Sequence, residues 1–236
     1  MSEDNSAIPR TLSIDIGGSG CKAFVLDPKG EQITERVRIR TPEVPTPSLV
    51  LEILAELAEK SGDFERISCG FPGVVVDGEI RTAVNLHPDW IGVNLAAELQ
   101  KVIGKPARVA NDADIQGLAA IEGKGLEMVI TLGTGIGAAM FINGRLVPNL
   151  ELGHHPFRRG KTYEECLGEV AMKEKGFRRW NKRLVEAIDL LARIFNYQTL
   201  YLGGGNTKRI DFELPKDVKV VPNIAGLLGG IALWRD

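Results

Sequence analysis

Two stretches of this chain share one design: a short apolar run, a glycine-rich turn and a second apolar run. Leu12 to Ile16 leads through Gly17-Gly18-Ser19-Gly20 into Lys22 to Leu26, and Val129 to Leu132 leads through Gly133-Thr134-Gly135-Ile136-Gly137 into Ala138 to Ile142. A shift of 116 residues lays Asp15 on Thr131, Gly17 on Gly133 and Leu26 on Ile142. Short runs rich in apolar and β-branched residues on either side of a glycine turn read as antiparallel strand pairs. Their recurrence at long range implies two half-molecules that each begin with such a pair. The expected fold is therefore α/β, with two lobes and a central cleft.

The segments between support that division. Thr41 to Pro47 contains three prolines and separates the first strands from a helix expected from Ser48 to Ser61, with Leu51, Leu54, Leu57 and Ala58 on one face and Ser48 as its cap. Glu31 to Arg40 reads as a third, exposed strand, and Asp77-Gly78 and Asn143-Gly144 are hairpin signals. Asn94 can cap a helix carrying Leu95, Leu99, Val102 and Ile103. Thr162 to Phe195 reads as mainly helical, with a stripe of Leu184, Ile188, Leu191 and Phe195. The expected domains are 1–105 and 106–222, followed by a final helix at about 223–236 that need not stay with the second lobe.

Composition narrows the function classes. The chain has 236 residues, 44% hydrophobic and 25% charged, with a formal net charge of -2, so no global field favours nucleic acid or a membrane surface. No run approaches the roughly 18 apolar residues of a spanning helix, and the cytoplasm is the expected compartment. Cys21, Cys69 and Cys166 are too far apart for a CxxC pair or a closed zinc spacing, and read as buried, inert thiols.

Chemistry concentrates in three places. Ala110 to Asp114 reads ANDAD, with Pro106 to Ala110 a strand and Ile115 to Ile121 helical, so Asn111 and Asp112 fall at a strand-to-helix turn. A carboxylate there can take the proton of an attacking hydroxyl, and an amide can orient a polyol; helix capping is the structural alternative. Asp15, Gly17, Gly18, Ser19, Gly20 and Lys22 form the first candidate phosphate turn, with Asp15 able to hold Mg²⁺ directly or through water. Thr131, Gly133, Thr134, Gly135 and Gly137 form the second. Neither matches GxxxxGK[ST] or a GxGxxG leading into a helix. Glu151 and His154 suit vicinal sugar hydroxyls, structural hydrogen bonds or a metal; no third ligand joins them at convincing spacing. Cations from Arg158 to Arg183 are interspersed with Glu164, Glu165 and Glu169 and read as a solvated mixed surface.

With those motifs in order along the chain, the sequence resembles the ROK sugar kinases, most closely their polyphosphate glucokinase branch. The resemblance is carried by DIGGSGCK (15–22), FPGVV (71–75), TAVNLHPDW (82–90), NDAD (111–114), TLGTGIG (131–137), LVPNLELGH (146–154), LGGG (202–205) and NIAGLLGG (223–230). It implies an actin-like, hexokinase-like (ribonuclease H-like) fold whose C-terminal helix returns to the first lobe. It also implies Mg²⁺-dependent transfer from polyphosphate, ATP or both to the 6-hydroxyl of glucose. On that resemblance Asp112 is the base, Asn85, Asn111, Glu151, His154 and Glu164 contact sugar, and Gly203, Gly204 and Gly205 adjoin an adenosine. A homodimer is also implied. Only Cys166 falls where many relatives carry a cysteine-rich zinc motif, so no structural zinc is expected, and no helix-turn-helix precedes Leu12, which argues against a repressor. Other hexoses as acceptor, or a sugar-binding protein without catalysis, are the alternatives.

Overall fold

The computed structural model describes residues 9–83, 86–221 and 229–234. Contacts divide the chain into two units, Met1–Ile115 with Gly226–Asp236, and Gln116–Ala225. In the first unit β1 (Thr11–Gly17) turns into β2 (Gly20–Leu26), and edge strand β3 (Val37–Ile39) follows. Helix α1 (Pro47–Ser61), β4 (Arg66–Phe71), the hairpin of β5 (Val75–Val76) and β6 (Glu79–Ile80), α2 (Leu95–Ile103) and β7 (Ala107–Asn111) complete it. The sheet order is β3-β2-β1-β4-β7, with β1, β4 and β7 parallel and β2 antiparallel to both neighbours.

Helix α3 (Asp112–Ala120) carries the chain into the second unit. There follow β8 (Leu126–Leu132), β9 (Ile136–Ile142), β10 (Arg145–Val147), the small hairpin of β11 (Pro156–Arg158) and β12 (Lys161–Thr162), then α4 (Tyr163–Leu167), α5 (Glu169–Lys175), α6 (Phe177–Phe195), β13 (Thr199–Gly203) and β14 (Val218–Val220). Its sheet runs β10-β9-β8-β13-β14 with the same polarities as the first. Shifting β2 by 116 residues lands it on β9, residue for residue. The repeat in the sequence is thus a repeat of strand order as well as of turns.

Burial explains why these segments are strands. In β1 the residues Thr11 to Ile14 are all buried, and in β4 everything after Arg66 is, as expected of parallel strands covered on both faces. Helix α6 buries Trp180, Leu184, Ala187, Ile188 and Leu191 at helical spacing and ends on Asn196, whose left-handed backbone closes the last turn. The long helical region is cut at Gly168 and Gly176 into α4, α5 and α6. Among the described residues no helix is long and apolar enough to cross a membrane. All three cysteines are free and buried, and burial pushes the Cys21 thiol up and the Cys69 thiol well up.

Several boundaries differ from expectation for local reasons. The first unit extends past residue 105, because β7 pairs with β4 from Ala107 to Asn111 and belongs to the first sheet. Helix α1 begins at Pro47, with Thr46 rather than Ser48 preceding it, since proline is preorganised for the first helical position. The strand expected over Glu31 to Arg40 shrinks to Val37–Ile39. Upstream, Thr34 Oγ1 accepts the Val25 N–H at 2.9 Å and so replaces a ladder bond with a side-chain bond. Val102 lies 44% exposed instead of joining the α2 stripe. At the C-terminus the described residues form a 3-10 helix, Gly229–Trp234; the rest of the expected helix lies outside them.

That C-terminal turn is clamped onto the first sheet. Ser13 and Ser68 are opposite one another on β1 and β4, and their small side chains leave room for the Gly230 backbone. Ser68 Oγ donates to the Gly230 carbonyl at 2.6 Å and accepts from Trp234 Nε1 at 2.9 Å. The guanidiniums of Arg66 and Arg108 sit 4.9 and 4.6 Å from the Trp234 ring centroid. Burial and the neighbouring Arg108 lower the Arg66 pKa, so the ring's negative face offsets a crowded pair of cations. Trp234→Ala removes both cation–π contacts and one hydrogen bond, and we expect a loss of about 2–4 kcal/mol, read as a lower urea midpoint for the first unit.

Candidate active site

In the first unit the candidate residues collect at the C-terminal ends of the parallel strands, where ligands bind in open α/β sheets. Asp15 on β1 is opposite Gly70 on β4, and Phe71 is opposite Asn111 on β7. Asn111 ends its strand and Asp112 begins α3 with no linker between them. A Cβ added at Gly70 would lie 3.5 Å from the Asp112 Cα, so this glycine lets the start of α3 pack directly over β4.

Asn111 is the helix cap as well as a candidate ligand. Its Oδ1 accepts from Ala113 N at 2.8 Å and Asp114 N at 3.4 Å, while Nδ2 donates to the Gly73 carbonyl at 3.0 Å. Its oxygen is committed to the helix, and one N–H remains to give. Gly73 is itself packed against the Thr82 carbonyl, where a Cβ would stand at 2.2 Å, and Thr82 Oγ1 accepts from Val74 N. The FPGVV, TAVNLHPDW and NDAD motifs thus meet through the Gly73–Thr82 backbone approach and side-chain bonds to backbone atoms. Asn85, in the middle motif, lies outside the described residues. Trp90 packs on Phe71 at 5.2 Å and donates to the Pro45 carbonyl.

The first glycine turn is exposed at Gly18 and Ser19. Beside it Lys22 Nζ meets Asp15 Oδ2 at 3.1 Å, across directly paired positions of β1 and β2. Gly17 O accepts from Thr41 Oγ1 at 2.6 Å. Arg38 was not foreseen here: its guanidinium donates to Ser19 O at 3.2 Å and lies over Gly20, where a Cβ would be 2.8 Å from Nε. The available signal was its place opposite Lys22 in strand pairing.

The second unit assembles the remaining candidates around Gly133 to Gly137. Thr131 Oγ1 accepts from Gly137 N at 3.1 Å, and Glu164 Oε2 accepts from Ile136 N at 3.1 Å while crowding Gly135, where a Cβ would stand 2.3 Å away. Glu164 thereby ties α4 to the turn through one carboxylate oxygen. Gly153, between Glu151 and His154, packs on the Ile136 carbonyl. Glu151 Oε2 and His154 Nε2 are 3.6 Å apart with both side chains substantially exposed. Gly203 ends β13 opposite Thr131, and Asn206, unremarked in the sequence, donates to Gly133 O at 3.0 Å. Gly204 has φ +89° and would place a Cβ 2.4 Å from the Leu132 carbonyl. Gly204→Ala should displace the second turn, costing about 1–3 kcal/mol in stability and weakening donor use. Thermal unfolding and the KM for each donor read both effects.

Among the described residues no group of three or more His, Cys, Asp or Glu is positioned for a metal. Mg²⁺ commonly uses one or two carboxylates and fills its remaining positions with water and phosphate oxygens, so Asp15, partly exposed beside the first turn, fits that use.

Two copies of one five-strand order, each opening on a glycine hairpin, define the actin-like and hexokinase-like class of α/β proteins. The ROK family model matches residues 11–169, and the chain belongs to that family. It is 35% identical over 239 aligned positions to the polyphosphate glucokinase of Mycobacterium tuberculosis H37Rv, covering 92% of this chain and 88% of the relative. The Mycobacterium leprae polyphosphate glucokinase is 32% identical, at 94% and 72% coverage. Among solved structures, the inorganic polyphosphate/ATP-glucomannokinase of Arthrobacter sp. strain KM superposes with a TM-score of 0.83 at 34% identity, covering 96% and 99% of the two chains. The Streptomyces griseus ROK family glucokinase, at 20% identity and a TM-score of 0.78 with 95% and 98% covered, shares the fold.

Proposed function

We propose that this chain is a hexose kinase that moves a phosphoryl group from inorganic polyphosphate, ATP or both to the 6-hydroxyl of glucose. The observation that carries the reading is Asp112, a carboxylate on the first residue of α3, packed over Gly70, whose partner in β1 is Asp15 beside the first glycine turn. An acid next to a phosphate turn can take the proton of an alcohol as its oxygen bonds to phosphorus. The polyphosphate glucokinases among the relatives support the donor, and the glucomannokinase supports mannose as a second acceptor.

Each group then has one task. Asp112 accepts the hydroxyl proton while the bond from phosphorus to the donor's bridging oxygen breaks, leaving a polyphosphate shortened by one unit or ADP. Glu151, His154 and the remaining Asn111 N–H orient the sugar by hydrogen bonds, with Asn85 and the second Glu164 oxygen as further contacts. Backbone N–H groups of the Gly17 to Gly20 turn and, in the Gly133 to Gly137 turn, those of Thr134 and Gly135, with Ser19, Thr131, Thr134 and Lys22, hold phosphate oxygens. Gly203 to Gly205 adjoin the adenosine when ATP is the donor. Asp15 would hold Mg²⁺, which would supply charge neutralisation on the donor oxygens. The three reduced thiols suit a cytoplasmic enzyme, and the family resemblance supports a homodimer.

Asp112→Ala should retain the wild-type circular dichroism spectrum and lose about 10²- to 10⁴-fold in kcat, with glucose binding preserved. Wild-type turnover in that variant would remove Asp112 from the role of base. Glucose and mannose crossed with ATP and long-chain polyphosphate, followed as hexose 6-phosphate formed, read acceptor and donor preference directly.

A further inference from the structure

Strand β3 and the residue on either side of it carry three arginines. Arg36, Arg38 and Arg40 are all exposed, at alternate positions of the edge of the first sheet, while Val37 and Ile39 between them pack toward the core. Strand alternation puts the three guanidiniums on one face, and Arg38 is directly opposite Lys22 on β2. Four other arginines meet acids, Arg10 with Glu65, Arg81 with Glu79, Arg158 with Glu186 and Arg193 with Asp189, and Arg66 and Arg108 stack on Trp234. No carboxylate pairs with Arg36, Arg38 or Arg40 among the described residues. Guarding an exposed strand edge accounts for charge in general. It does not account for Arg38 lying over Gly20 and donating to Ser19 O within the first glycine turn.

We propose that this row is a subsite for the outer phosphates of a polymeric donor, running from the Gly17 to Gly20 turn along β3. The proposal rests on the donor reading above and adds to it a site and a chain-length preference. Alternate residues of a strand are about 6.6 Å apart, so Arg36 to Arg40 span about 13 Å. A linear polyphosphate carries charge all along its length and can meet each guanidinium in turn. A nucleoside triphosphate ends after three phosphates and continues as a base and sugar. The row therefore favours long polyphosphate over ATP without touching the reacting atoms, and ionic strength should weaken that preference by competing for the chain's charges.

The test uses the R36Q/R40Q double variant, which leaves Arg38 on the turn. Steady-state kinetics should show KM for long-chain polyphosphate raised about tenfold, with KM for ATP and for glucose moving less than about twofold. Filter binding of labelled long-chain polyphosphate, without glucose, should show an affinity loss of similar size and a shallower salt dependence. Unchanged KM and unchanged polyphosphate binding in the variant overturn the proposal. So does an equal loss of binding to oligothymidylate of similar charge, which would make the row a general polyanion surface. The binding arm needs no turnover and decides on the subsite even if the wild type phosphorylates no sugar from any donor, the result that would sink the kinase reading alone.

Discussion

The side-chain amide of Asn111 holds the first half of the candidate site together. Its oxygen caps α3 and its nitrogen holds the Gly73 carbonyl, so β7, α3 and the turn after β4 share one point of attachment. An Ala or Leu there would take the cap from the Asp114 N–H and leave the Ala113 N–H to Asp112 Oδ1 alone, at a cost of about 0.5–2 kcal/mol. The position of Asp112 follows from this, because the residue after a cap has its backbone fixed by the helix. Gly70 completes the arrangement by offering no side chain beneath it. Helix capping and functional placement are therefore two effects of one contact.

The second unit uses the same principle with different atoms. Its glycine turn is held by Glu164 on Ile136 N, by Asn206 on the Gly133 carbonyl and by the Thr131 hydroxyl on Gly137 N. Each tie comes from a different element, namely α4, the 3-10 turn after β13, and β8. Rigid elements position a site more tightly than loops do, and here a mobile kind of sequence, glycine and threonine, is pinned from three sides. The close approaches at Gly135, Gly153 and Gly204 are what permit those elements to come so near. The two units thus present different surroundings for similar hairpins. One turn borders an exposed arginine row, and the other is tied by an acid, an amide and a hydroxyl.

Much of this was legible in the sequence. The 116-residue repeat, the strand pairs flanking GGSG and GTGIG, the Asn94 cap and the α6 stripe all depend on local periodicity or turn chemistry, which the order of residues specifies directly. The placement of Asn111 and Asp112 at a strand-to-helix junction belongs to the same class. Family membership was likewise readable, since eight motifs occur in order and the family model matches residues 11–169.

What tertiary structure decided was partnership. Whether β7 belongs to the first unit depends on pairing with β4, residues far away in sequence, and no local pattern at Pro106 reveals it. The length of β3 was set by Thr34 taking a ladder bond, Glu164 was recruited as a tie for a turn 28 positions earlier, and the C-terminal tryptophan found two arginines on the first sheet. Sequence determines which residues can form strands, turns and caps because those preferences act over a few neighbours. It does not display which donor meets which acceptor across the fold, because that follows from packing the whole chain at once.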